Sequence, residues 1–235
     1  MPSSQRHDQH DLSYRYSTMM DALALVHIAD LDPAQFAAVA AIYREAFEAP
    51  WEMPVAGLGE FAATRSRGSA TGRALALLEG NEPVAIALAS YLRYPNLLHL
   101  KYLGVESTYR DRGIGGRLLR HVSKAGEEIS QMFGLGGCRG ILIEVERPDD
   151  SLSAAERDLR IRRIGFYLQH GAVPSGKLFE HPIWAPPEMP NWDIMILPGL
   201  AWTGSLDESS RQALSSLVLA EIRASLGLDP KTFLS

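Results

Sequence analysis

The sequence predicts a mixed α/β unit built on one central sheet. Three observations predict it. Segments with strand-like and helix-like apolar spacing alternate in the order β-α-α-β-β-β-α-β-α-β-β-α. Gly, Asn and Pro punctuation falls between these segments rather than inside them. No internal repeat and no low-complexity linker divides residues 21–235. With 235 residues, 46% of them hydrophobic and 22% charged, the chain can bury one sizeable core.

Each element has a local signal. Residues 22–29 (ALALVHIA) read as a first strand. Asp32 and Pro33 then open a helix, Asp32 as cap and Pro33 in the first turn. Phe36, Val39, Ala40, Tyr43 and Phe47 recur at helical spacing and should face the core. A second helix spans about residues 59–67. Residues 73–79 and 84–94 read as a hairpin around Gly80-Asn81, and residues 96–105 as the next strand. A long helix follows, with Leu118, Leu119, Val122, Ala125, Ile129, Met132 and Phe133 on one side, until Gly134, Gly136 and Gly137 stop it. Residues 140–146 (GILIEVE) form a strand. Ser153 and Glu156 have capping-box spacing, and Gly171 is placed to end the helix they start. Two late strands are expected at residues 177–184 and 192–197. Ser205 with Glu208 is a second capping box, before a last helix striped with Leu214, Leu217, Val218, Ile222 and Leu226. The sheet should therefore hold about six to seven strands flanked by helices. Residues 1–20 are expected to be a flexible tail, residues 21–200 the main domain, and residues 201–235 a helical extension that packs on it or pairs two copies.

Composition narrows the function classes. A net charge of −5 argues against nucleic acid, whose binding needs clustered cations. A single cysteine, Cys138, excludes an internal disulfide and fits a cytoplasmic protein. No apolar run reaches membrane-spanning length, and residues 1–20 lack the apolar stretch of a signal peptide. The seven histidines and one cysteine show no metal-ligand spacing, so no metal is expected.

The chemistry concentrates in residues 100–119, LKYLGVESTYRDRGIGGRLL. A strand runs through a loop into a helix that starts on glycines. Glycine lets backbone approach a phosphate, and the first amides of a helix have no internal acceptor. With the helix dipole they make an anion site. Arg110, Arg112 and Arg117 gather there in an otherwise acidic chain. A Walker loop would need Gly-Lys followed by Ser or Thr, and Arg117 and Leu118 follow Gly116 instead. A dinucleotide fingerprint would need a third glycine where Leu118 stands.

Arg110, Asp111, Arg112, Gly113, Ile114 and Gly115 match the R/Q-x-x-G-x-G/A signature, and the chain here resembles the GNAT acetyltransferases. Leu103, Gly104 and Val105 resemble the end of that family's fourth strand. Phe166-Tyr167, followed by Gly171, resembles its second signature. The family's order of elements covers about residues 22–197. The resemblance implies the GNAT fold and acetyl-CoA as co-substrate. Backbone groups of Leu103, Gly104 and Val105 would meet the pantetheine arm, and amides from Arg110 through Gly116 would hold the diphosphate. The strands ending at Val105 and Glu146 would splay to admit the cofactor. The Val105 amide would steady an oxyanion, and Tyr167 would return a proton to the leaving sulfur.

The base is less defined, because Lys101 stands about where many family members carry an acid. Glu144 and Glu146 alternate onto one strand face and could bind or deprotonate a cationic amine. They could equally pair with Arg160, Arg162 and Arg163. The alternative for Tyr167 is a core aromatic packed under the last strands. His99, His170 and His181 are bases by chemistry alone. The leading expectation is transfer of acetyl from acetyl-CoA to a primary amine of a small molecule, in one direct step. The rivals are a protein N-acetyltransferase and an acyl-CoA-binding regulatory module.

Overall fold

The computed structural model describes residues 23–47, 53–148, 153–177, 191–212 and 215–216. In chain order its elements are β1 (Leu23–His27), α1 (Pro33–Ala46), α2 (Leu58–Ala63), β2 (Gly72–Glu79), β3 (Glu82–Leu92) and β4 (Leu97–Val105). These are followed by α3 (Ile114–Met132), β5 (Gly140–Glu146), α4 (Ala154–Gln169), β6 (Val173–Lys177) and β7 (Trp192–Pro198). The strands form one seven-stranded sheet in the order β1-β2-β3-β4-β5-β7-β6. Only β4 and β5 pair in parallel; every other neighbouring pair is antiparallel.

Local chemistry sets the boundaries. Asp32 accepts from the amides of Ala34 and Gln35 at 2.8 Å, and Gln35 reaches back to the Asp32 amide, a reciprocal cap ahead of Pro33. Ser153 and Glu156 repeat the arrangement on α4. Glu79 faces Glu82 across the hairpin, so Gly80 and Asn81 alone make the turn, with Gly80 at φ 60°.

The sheet has two buried faces. On one, Leu75, Leu77, Ala87, Leu98, Leu100, Ile143 and Met195 pack with Leu118, Leu119 and Val122 of α3 and Tyr167 of α4. On the other, Ala74, Ala76, Ile86, Leu88 and Tyr102 pack with Val39, Ile42 and Tyr43 of α1 and Leu58 of α2.

The sixth strand is Val173–Lys177, where pairing with β7 overrides the poor strand propensity of Pro174 and Gly176. The strand expected at residues 177–184 falls, after Lys177, on residues 178–190, which lie outside the described residues, as does His181. Two expectations are corrected. The last helix is capped by Asp207, whose Oδ1 accepts the Ser210 amide at 2.7 Å, and not by Ser205. Residues 208–212 and 215–216 are helical, and the Leu214–Leu226 stripe lies outside the described residues. Met132 is exposed at the end of α3, while Phe133 stacks on Tyr91.

Candidate active site

β4 carries one residue too many for its partner. Leu88 pairs with Tyr102 and Ala89 with Leu100, so Lys101 is an extra residue, a β-bulge. The bulge resets the alternation of side chains. Leu98 and Leu100 face α3, and beyond the bulge so do Leu103 and Val105, while His99, Tyr102 and Gly104 turn to the α1 face. The Glu106 amide donates to the Val84 carbonyl at 3.0 Å. By the alternation of an antiparallel ladder, Gly104 and Tyr102 also address β3, and the backbone groups of Leu103 and Val105 point the other way.

That other way is toward β5, and β5 is not there. The two strands pair only through Leu98 with Ile141, His99 with Leu142 and Leu100 with Ile143. Beyond Leu100 they diverge, β4 to Val105 and β5 to Glu146. The divergence leaves a slot edged by the backbone of Leu103 and the amide of Val105. Gly104 does not border it: a Cβ there would sit 3.4 Å from Ile42 and 3.5 Å from Ala46 of α1, so its smallness serves packing.

The loop after β4 delivers an amide cluster. Arg117 N makes the first bond of α3, to Gly113 O. The amides of residues 111–116 have no acceptor among the described residues. Asp111 (φ 62°) and Gly113 (φ 73°) hold left-handed conformations that fold this backbone into a concave run of N–H groups at a helix start. The arginines do not converge on it. Arg110 donates to the Val105 carbonyl at 3.1 Å and to Glu45 Oε1 at 2.7 Å. Arg112 lies over the Tyr109 ring, and Arg117 donates to the Leu23 carbonyl at 2.8 Å. The cluster is therefore backbone alone, with Arg110 bracing the end of β4. Sequence counting could not find this, since Glu45 is distant in the chain.

Tyr167 is the buried residue of α4 and belongs to the α3-side core. Burial pushes its phenol up to about 12, against a small opposing effect of Arg163. Its hydroxyl has no hydrogen-bond partner among the described residues. One turn on, His170 Nδ1 lies 2.8 Å from the Phe166 carbonyl, and Phe166 and His170 cover Gly115 and Gly116 of α3. The second signature is thus packed directly on the first.

The two glutamates part company. Glu146 accepts from Arg163 at 3.0 Å and lies 3.5 Å from Arg160, so the ion-pair alternative describes it. Arg162 takes no part in that pair. Glu144 faces the opposite side of the sheet from Ile143 and Val145, and its Oε1 lies 3.0 Å from His99 Nε2. Cys138 is buried, its thiol pushed up by that burial, and donates to the carbonyl of Gly140 at 3.3 Å. Among the described residues no group of three His, Cys, Asp or Glu could hold a metal ion, and no helix is long and apolar enough to cross a membrane.

The family model described as Acetyltransferase (GNAT) family matches residues 36–152, a span that contains most of α1, the β4 bulge, the amide cluster and β5. The chain belongs to this family. Solved structures share the fold. A protein from Bacteroides thetaiotaomicron assigned to the GNAT acetyltransferases superposes with a TM-score of 0.55 at 19% identity, over 83% of this chain and 97% of that one. The Salmonella typhimurium yncA protein, solved with its cofactor acetyl-CoA, gives 0.51 at 13% identity, over 79% and 98%. The ribosomal-protein-S18-alanine N-acetyltransferase of Escherichia coli gives 0.50 at 16%, over 75% and 93%. No curated protein matches the sequence. As a GNAT acetyltransferase, the chain has the sheet of its family together with β7 and β6 beyond the matched span.

Proposed function

We propose that this GNAT domain transfers an acetyl group from acetyl-CoA to a cationic amine of a small molecule, directly and without an acyl-enzyme. The observation that carries the reading is the division of groups across the β4–β5 slot. The amide cluster and Tyr167 belong to the α3 side, whereas Glu144 belongs to the α1 side. A donor and an acceptor can therefore meet in the slot from opposite faces, each with its own proton-handling group.

The residues fit an acyl-CoA. Unclaimed amides of residues 111–116 suit a diphosphate, and the edge formed by Leu103 and the Val105 amide suits an amide-bearing arm that adds to the sheet like a strand. The bound co-substrate supplies an activated thioester. The Val105 amide is free to donate to a developing oxyanion, although its carbonyl is taken by Arg110. Glu144 draws a proton from the acceptor's ammonium. Tyr167, protonated at neutral pH, gives its proton to the sulfur; the burial that raises the phenol also disfavours a free thiolate beside it. The preference for a small acceptor rests on Glu144 as its anchor, a single carboxylate whose side chain is only 21% exposed.

Two measurements test the reading. Acetyl-CoA should raise the melting temperature, since a ligand at a hundred times its Kd adds about 2.7 kcal/mol to the native state. Gly113→Val should lose that protection, because a branched residue resists φ 73° and the cluster would unfold locally. An amine panel read by release of free CoA should then find turnover. No protection and no turnover would refute the assignment; turnover with peptide amines alone would replace the acceptor class.

A further inference from the structure

His99 is a buried titratable group, 1% exposed, whose ring nitrogens make no hydrogen bond among the described residues. Glu144 Oε1, 3.0 Å from Nε2, is likewise buried and unsatisfied. The two atoms are close but not aligned as a hydrogen bond. Leaving a buried polar atom unpaired is costly, so such a cluster needs a reason. Catalytic hydrogen bonds are often misaligned before substrate arrives and tighten when it does.

Among the described residues, no neighbour hydrogen-bonds to the His99 ring or to Glu144 Oε1. On β3, Ser90 lies opposite His99, and its hydroxyl already accepts from Arg65 at 3.2 Å. Tyr102, next on the same face of β4, donates no bond to the ring; its hydroxyl accepts the Met53 amide at 3.0 Å. Lys101 lies in the bulge and Glu146 is held by Arg160 and Arg163. The side chain of Glu144 is 21% exposed, so one carboxylate oxygen is sealed against His99 while the group still reaches the slot.

Resting on the reading of the chain as an amine acetyltransferase, we propose that His99 is a positioning residue for Glu144. A ring nitrogen that faces a carboxylate oxygen carries the hydrogen, which makes His99 the Nε2–H tautomer and a donor to Oε1. The donation pins one oxygen. It turns the other oxygen to the acceptor. There an N–H bond of the ammonium breaks, an O–H bond forms on Glu144, and the nitrogen keeps the electron pair with which it attacks. His99 exchanges no proton with the acceptor and acts only by holding Glu144.

Two substitutions and one spectrum test this. His99→Gln keeps an N–H near the place of Nε2, and His99→Leu removes it at similar volume. With the best amine of the panel, His99→Leu should lower kcat at least about tenfold with acetyl-CoA affinity unchanged, and His99→Gln should recover most of the loss. Equal losses in both folded variants, or no loss in either, would overturn the proposal. Ring ¹⁵N shifts of His99 should report the Nε2–H tautomer in the unaltered protein and a changed Nε2 environment in Glu144→Gln. An Nδ1–H tautomer, or no change in Glu144→Gln, would also overturn it, and this readout stands even if His99→Leu does not fold. The spectrum needs no turnover, so a failure of the acetyltransferase reading is seen separately, as loss of CoA release across the whole panel.

Discussion

His170 Nε2 occupies the space that a side chain on Gly116 would need: a Cβ there would lie 2.2 Å from that nitrogen. The imidazole cannot easily yield, because Nδ1 is tied to the Phe166 carbonyl and the ring packs on Phe166. Gly116 is thus a packing glycine, whatever its amide binds. Gly115 is similar, with Phe166 3.3 Å from its would-be Cβ.

Gly116→Ala should therefore destabilise the protein by about 1–3 kcal/mol, the usual cost of overpacking, despite alanine's better helix propensity. Denaturant titration measures it. Adding His170→Ala should restore part of the loss. A Gly116→Ala protein as stable as the unaltered one would mean that α4 shifts freely on α3.

The signature glycines show what sequence can and cannot deliver. The string from Arg110 to Gly116 made the run of unclaimed amides at the α3 start legible because those amides are local, and helix starts need no tertiary information. The arginines misled because their partners are remote: Arg110 meets Glu45, and Arg117 meets Leu23. Glu144 and Glu146 share a strand face by period, yet α4 brings its guanidiniums only to Glu146. The contact between His99 and Glu144 depends on the β4–β5 register, which no local pattern encodes. The β4 bulge at Lys101 was hidden for the same reason.

The two glutamates should separate by experiment. Glu146→Gln should cost more in stability than in turnover, about 1 kcal/mol for a partly exposed ion pair. Glu144→Gln should do the reverse, lowering kcat/KM at least about tenfold, or some 1.4 kcal/mol, while leaving acetyl-CoA affinity alone. Melting curves and steady-state kinetics on both variants decide it. Equal kinetic losses would return Glu146 to the catalytic centre.

His27 should make the fold sensitive to mild acid. Burial first, and then the charge of Arg73, hold its imidazole below the ordinary 6.5. A base with a lowered folded pKa binds protons more readily when unfolded. Its contribution to stability is thus complete above pH 6.5 and is lost as pH falls through the folded value. Melting temperature should be flat from pH 8 to 7 and drop below about 6.5. In His27→Gln the drop should be smaller but not absent, since His121 is lowered in the same sense by burial and by Arg117, Arg120 and Lys124. An identical acid slope in the variant would remove His27 from this account.

Tyr167→Phe gives the most direct test of the donor side. Phenylalanine keeps the ring, which lies in the core with Leu118, Ile143 and Met195, and removes only the hydroxyl. That hydroxyl has no partner among the described residues, so its loss orphans no donor or acceptor and stability should hold or rise slightly. Acetyl-CoA affinity should not change. Between pH 10 and 12 the variant should be the more stable protein relative to neutral pH. The unfolded tyrosine ionises near 10 and the buried one near 12, so the unaltered protein loses stability across that window. Turnover should fall at least about tenfold, within the hundred- to ten-thousand-fold range of a well-placed acid. If product release masks chemistry, the loss will appear only in single-turnover rates, which are therefore the rates to measure. A Phe variant that matches the unaltered protein there would leave Tyr167 a packing residue, and the sulfur would take its proton from water.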